Sequence, residues 1–158
     1  MAKRLIAIKA SEAPVPPRAA GFPPGLAVKL EGREKRPLSD FFGLGNFGVN
    51  LTRLAPGAAS SMRHAHSRQD EFVHALEGRP VLVTEVGETQ LSPGMCAGFP
   101  AGTDDAHRLV NRTAEDVLVL EIGDRTALDR VTYPEDDLIG EADEAGRFHY
   151  RRKDGTAI

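Results

Sequence analysis

Between Val49 and Ile122 this chain never runs far without a turn residue, and that interruption decides the fold class. Period-two runs at 49–54, 61–66, 71–77, 80–86, 88–91, 95–99, 107–111 and 116–122 are separated by turn signals. Those signals are Pro56-Gly57, Ser67-Arg68-Gln69, Gly78, Gly87, Pro93-Gly94, Pro100–Asp105 and Arg112–Glu115. Alternation sends successive side chains to opposite faces of a sheet, and repeated short runs read as a sandwich or barrel. No segment sustains a 3.6-residue period between helix caps. With 158 residues, 16 of them glycine and 11 proline, the chain is one turn-rich, all-β domain.

The flanks differ from this centre. Pro14, Pro16, Pro17, Pro23 and Pro24 remove backbone donors and block helix across Ala13–Gly25. Phe22, Leu26, Val28 and Leu30 give that arm something to bury, so residues 1–40 are predicted to pack on the barrel as an N-terminal arm. The barrel itself is placed at 41–124. Residues 125–158 read as an irregular C-terminal tail packing on it, with six acids inside Glu135–Glu144 followed by Arg147, Arg151, Arg152 and Lys153, both solvated surfaces. Gly43-Leu44-Gly45-Asn46-Phe47-Gly48 matches G-x-G-x-x-G, but a strand pattern follows it where a dinucleotide site needs a helix. It is read as a glycine-rich turn.

A formal charge of −3 argues against nucleic acid or an anionic membrane as the partner. Cys96 is the sole cysteine, so no disulfide framework exists and a reducing compartment fits. With no histidine adjacent in the pattern it reads as a small buried filler rather than a nucleophile. Lys3 and Arg4 precede only Leu5-Ile6-Ala7-Ile8, too short for a signal peptide's apolar region, and no run approaches the length of a membrane span. The expectation is a soluble, cytoplasmic protein.

Chemistry concentrates in His64-Ala65-His66, whose imidazoles share one strand face. A polar turn later, Glu71 opens the next run, and an antiparallel neighbour would return it beside the pair. Two neutral nitrogens and a carboxylate suit a divalent metal with open positions. Further on come Gly94-Met95-Cys96-Ala97-Gly98-Phe99-Pro100-Ala101-Gly102 and His107-Arg108-Leu109-Val110-Asn111. Here the sequence resembles the cupin superfamily. Its first motif, G-x5-H-x-H-x3,4-E-x6-G, is met by Gly57, His64, His66, Glu71 and Gly78. Its second, G-x5-P-x-G-x2-H-x3-N, is met by Gly94, Pro100, Gly102, His107 and Asn111. Six residues rather than five separate Gly57 from His64, and four rather than two separate Gly102 from His107. Both extra lengths fall in loops. The second leaves Asp104 and Asp105 near the barrel mouth, within reach of the site. Separately, the x3,4 allowance admits Asp70 in place of Glu71, with Glu71 favoured because six residues then lead to Gly78.

The resemblance implies a double-stranded β-helix, or jelly-roll, barrel in which His64, His66, Glu71 and His107 bind one divalent metal ion. Iron, manganese, zinc and nickel are not distinguished by this donor set. Asn50-Leu51-Thr52-Arg53-Leu54, Tyr133-Pro134 and Asp154-Gly155-Thr156 extend the likeness to small single-domain bacterial cupins, from about residue 20 onward. That likeness carries a fold and a metal site but no substrate.

Elsewhere, His74 has the parity of Phe72 and should face away from the metal as a packed or interface residue. Arg63 and Arg108 are out of phase with His64 and His107 and read as surface or interface groups. Arg53 can point inward to an anionic substrate or outward to solvent. His149 has no visible partner, and no catalytic base stands out, Glu77 and Asp104-Asp105 being distant options. Two functions follow: a metal-dependent enzyme on a small chelating metabolite, with oxygenase or isomerase/epimerase chemistry, or a non-catalytic small-molecule-binding or sensor module. A homodimer is expected, because jelly-roll edges need covering and Leu5–Ile8 or Ala27–Leu30 could add strands to a neighbour.

Overall fold

A computed structural model describes residues 6–16 and 22–158. Among the described residues there are twelve strands: β1 (Arg33–Pro37), β2 (Phe47–Leu54), β3 (Ala65–His66), β4 (Glu71–Glu77), β5 (Val81–Thr84), β6 (Gly87–Gln90), β7 (Cys96–Phe99), β8 (Arg108–Val110), β9 (Val117–Asp124), β10 (Arg130–Tyr133), β11 (Leu138–Ala142) and β12 (Phe148–Arg151). Two short helices, α1 (Pro24–Ala27) and α2 (Leu38–Phe42), flank β1. Among the described residues no helix is long and apolar enough to cross a membrane.

The strands form two walls. One is a five-stranded sheet in the order β1-β2-β9-β4-β7. The other joins β12-β11-β10-β3 to β6-β5-β8 through a bridge between His64 and His107, whose backbones exchange both hydrogen bonds at 2.8 and 3.1 Å. Buried Leu54, Val73, Ala75, Leu82, Leu91, Leu109, Val117 and Val119 fill one end of the interior. Complete burial of each leucine is worth roughly 1.5–3 kcal/mol. Met62, Val131, Tyr133 and Leu138 form a second cluster, with Phe22, Leu26, Phe148 and Tyr150 packed against it. The motif residues Gly57 and Asn111 belong to this scaffold. Asn111 is fully buried, donates to Leu54 and Glu115 carbonyls at 2.8 Å, and accepts from the Gly57 N–H through its own carbonyl.

Several expectations need correction. The segment 125–158, expected to be irregular, contains β10, β11 and β12. Its period-two signal is real, with Val131 and Tyr133 buried between exposed Arg130 and Thr132, but the adjoining charge runs mask it. The run at 61–66 shortens to Ala65–His66, because the backbone before it meets β8 only through isolated contacts such as Ser60 N–H to the Leu109 carbonyl. Cys96 is exposed, not buried. It lies opposite His74 in the ladder, and the inward places on β7 go to Ala97 and Phe99. Ala27–Leu30 is helical rather than a free strand, Leu30 is buried, and Ile6–Ile8 forms no strand; Leu5 lies outside the described residues. Gly43 ends α2 in the left-handed conformation at φ 70°, so the glycine-rich stretch is a turn between helix and strand.

Gly78 closes the β4 turn at φ +77°, and a Cβ there would lie 2.8 Å from Val117 Cγ2 and 2.9 Å from the Asp116 carbonyl oxygen. Gly94 has a similar φ, +91°, with open space around it. Gly94→Ala is therefore expected to cost only left-handed strain, about 1–2 kcal/mol. Gly78→Ala adds an overpacking penalty of about 1–3 kcal/mol. Urea unfolding of both variants checks the order; equal losses would contradict the packing at Gly78.

Candidate metal centre and cavity

His64 and His66 leave the same side of one wall, and His107 stands directly across the ladder from His64. Opposed residues in an antiparallel pair project to one face about 5 Å apart. Glu71 does not return on a neighbouring strand, as the sequence suggests. β4 pairs with β7 and β9, so Glu71 reaches in from the opposite wall. Its Oε2 lies 3.2 Å from His64 Nε2, 3.5 Å from His66 Nε2 and 3.1 Å from His107 Nε2.

The donors suit a divalent ion. Ligand atoms at 2.0–2.2 Å from one ion stand about 2.8–3.6 Å apart in octahedral or tetrahedral arrangements. The separations from Glu71 Oε2 fall in that range, while His107 stands outside the group whose donor atoms all lie within 4.8 Å of one another. Glu71 Oε2 is buried with no aligned hydrogen-bond donor, an orphaned group that a cation would satisfy. Burial alone would push the Glu71 carboxyl up, but the surrounding imidazoles, His107 and His64 foremost, hold it well below the usual carboxylate range. His64, His66 and Glu71 thus form a group able to hold a metal ion.

Neighbours set the imidazole orientations. His64 Nδ1 lies 2.9 Å from the Met62 carbonyl, which only a donating N–H satisfies, so Nε2 keeps its lone pair for a ligand. His66 Nδ1 pairs with the Asp129 carboxylate, which also accepts from the Arg68 N–H at 2.8 Å and the Ser67 hydroxyl at 3.1 Å. Asp129 is buried, and burial would raise its carboxyl, but His66 and these donors hold it lowered. Sequence reasoning missed Asp129, because nothing local marks it. The His107 ring stacks on Phe99, centroids 3.4 Å apart.

Other candidates fall elsewhere. Asp70 is exposed and accepts the Ala101 N–H; Asp105 accepts the Glu85 N–H, and neither it nor Asp104 joins the donor group. His74 shares the outer face with Phe72, while Arg63 and Arg108 pair with Glu135. Arg53 points outward to Asp116 and Glu34, and His149 is exposed beside Asp143.

The donor group opens into a cavity of about 680 Å³, within the range of small-molecule sites. Arg33, Lys35, Asn50, Glu121 and Tyr133 also line it. Glu121 Oε2 accepts from the Thr52 hydroxyl and pairs with Lys35 Nζ at 3.0 Å. Burial, with Tyr150 and Glu71 nearby, pushes the Tyr133 phenol up, so it stays a neutral hydroxyl.

His66→Ala is expected to remove a donor and most bound metal, measured as stoichiometry on a variant whose circular dichroism is unchanged. Asp129→Asn should weaken metal binding about 10–100-fold by freeing the His66 ring. Asp104→Ala and Asp105→Ala should leave metal content intact; loss in either would overturn this donor set.

The cupin domain family matches residues 50–123. Curated proteins give no match. Among solved structures, one from Silicibacter pomeroyi described as a sugar phosphate isomerase from a cupin superfamily is 44% identical. It has a TM-score of 0.81 over 87% of each chain. A candidate sugar phosphate isomerase from Acidithiobacillus ferrooxidans is 28% identical, TM-score 0.71, over 80% of each chain. The polyketide cyclase RemF of Streptomyces resistomycificus, 16% identical with a TM-score of 0.61, shares the fold. The two walls, the two motifs and the 44% relative lead to one assignment: this chain belongs to the cupin superfamily.

Proposed function

We propose that this cupin is a metal-dependent isomerase of a phosphorylated sugar. The observation that carries the reading is one cavity lined both by a metal-donor group and by the Glu121 carboxylate with two cations. The likeness to two proteins described as sugar phosphate isomerases supports it.

A divalent ion held by His64, His66 and Glu71, with His107 as fourth donor, would polarise a sugar carbonyl. This chain's own residues supply the proton movement. Glu121 is fixed through Oε2 by Thr52 and Lys35, leaving Oε1 without a partner among the described residues. Oε1 takes the proton from the carbon beside the carbonyl, and that C–H electron pair becomes the double bond of an enediol. Returning the proton to the other carbon, while the hydroxyl proton passes between the two oxygens, completes an aldose–ketose exchange. Atoms and electrons balance with no external oxidant. Tyr133, held neutral, donates to a substrate oxygen, and Asn50 offers an amide to a hydroxyl.

The test is proton NMR of the metal-loaded protein with triose to hexose phosphates in deuterated water. Interconversion with deuterium entering at the carbon beside the carbonyl is expected. Glu121→Gln should lower kcat by roughly 10²–10⁴-fold with metal content unchanged. Absence of both exchange and interconversion in the wild-type protein would overturn the isomerase reading.

A further inference from the structure

Register places two cations inside the barrel. Arg33 lies opposite Leu54 and Lys35 opposite Thr52, and paired residues share a face, here the inner one. Arg33 then crosses the interior to the other wall, where Nη1 donates to the Ser60 carbonyl at 2.8 Å. Among the described residues no carboxylate forms an ion pair with it; its only hydrogen bond is to that neutral carbonyl. A guanidinium has five N–H donors, and one is used. Burial lowers its pKa, with the more distant Glu121 charge acting the other way. Arg33 is half-buried and has no ion-pair partner among the described residues, so most of its donors remain for an anionic ligand. Both cations line the cavity that contains His64, His66 and Glu71.

We propose that Arg33, flanked by Lys35, is the anion subsite of this cavity and takes the substrate's phosphate group. The assignment rests on the isomerase reading for the identity of that substrate. An arginine fork matches two phosphate oxygens at once, and a lysine adds a point charge. Glu121, the acid that pairs with Lys35, is also engaged by Thr52, which limits its repulsion. The metal donors and the two cations line one cavity, so a sugar phosphate held there can present its carbonyl to the metal group and its phosphate to the cations supplied by β1.

Calorimetric titration of the metal-loaded full chain with inorganic phosphate tests this. Wild type should bind, and Arg33→Gln should raise the dissociation constant about tenfold or more. Lys35→Gln should raise it less, about threefold. Glu121→Gln should tighten binding by removing the neighbouring negative charge, a change that general loss of structure would not produce. Metal content and circular dichroism verify that each variant is folded. Phosphate bound equally by wild type and Arg33→Gln, or by neither, overturns the subsite while leaving the isomerase reading to its own exchange experiment. A second arm separates free phosphate from the sugar-borne group. Arg33→Gln should raise KM for the sugar phosphate and leave kcat within a few fold. An unchanged KM beside weakened phosphate binding would make this a free-phosphate site and overturn the substrate assignment.

Discussion

One carboxylate oxygen enclosed by three imidazole nitrogens is the contact on which the two walls of this barrel converge. Glu71 comes from the five-stranded sheet, and His64, His66 and His107 from the other. An isolated buried carboxylate would be too costly to keep ionised. A cation held among these donors would make it tolerable, and the separations between Glu71 and the imidazoles are those of a ligand shell. Everything around it serves alignment. The His64–His107 bridge sets two rings side by side, the Met62 carbonyl fixes one tautomer, and Asp129 fixes another ring.

The ring of scaffold residues explains why a motif can be so spread out. Gly57 and Asn111 stand at the far ends of the two motifs, yet they meet backbone to backbone. Asn111 spends its whole amide on backbone groups and on Thr113, with no donor left for a ligand. Its place is to hold the loops that carry the histidines. Reactive and structural positions are interleaved in the sequence and separate cleanly in space.

Much of this was legible from parity alone. The alternation of His64 with His66, and of Glu71 against Phe72 and His74, needed only a period of two to be sorted into inward and outward faces. What parity cannot supply is which strands face each other. That is why Glu71 was placed on the wrong wall, and why Asp129, 63 residues beyond His66, left no trace. Arg33 and Lys35 were hidden differently. Arg33-Glu34-Lys35-Arg36 carries no apolar alternation, so only its pairing with β2 reveals that alternate members turn inward. Cys96 failed because its smallness suggested filler, whereas Ala97 and Phe99 already hold the inward places.

The distance along the chain between His66 and Asp129 also orders events during synthesis. Ribosomes add roughly 5–20 residues per second, so Asp129 is made about 3–13 s after His66, given the 63 residues between them. In that interval both early imidazoles exist without the partner that orients one of them. Two unoriented imidazoles discriminate among divalent ions only by the general affinity order. The geometry that could discriminate between ions exists only once Asp129 has docked on His66, so any such discrimination would belong to the finished polypeptide rather than to the motif alone.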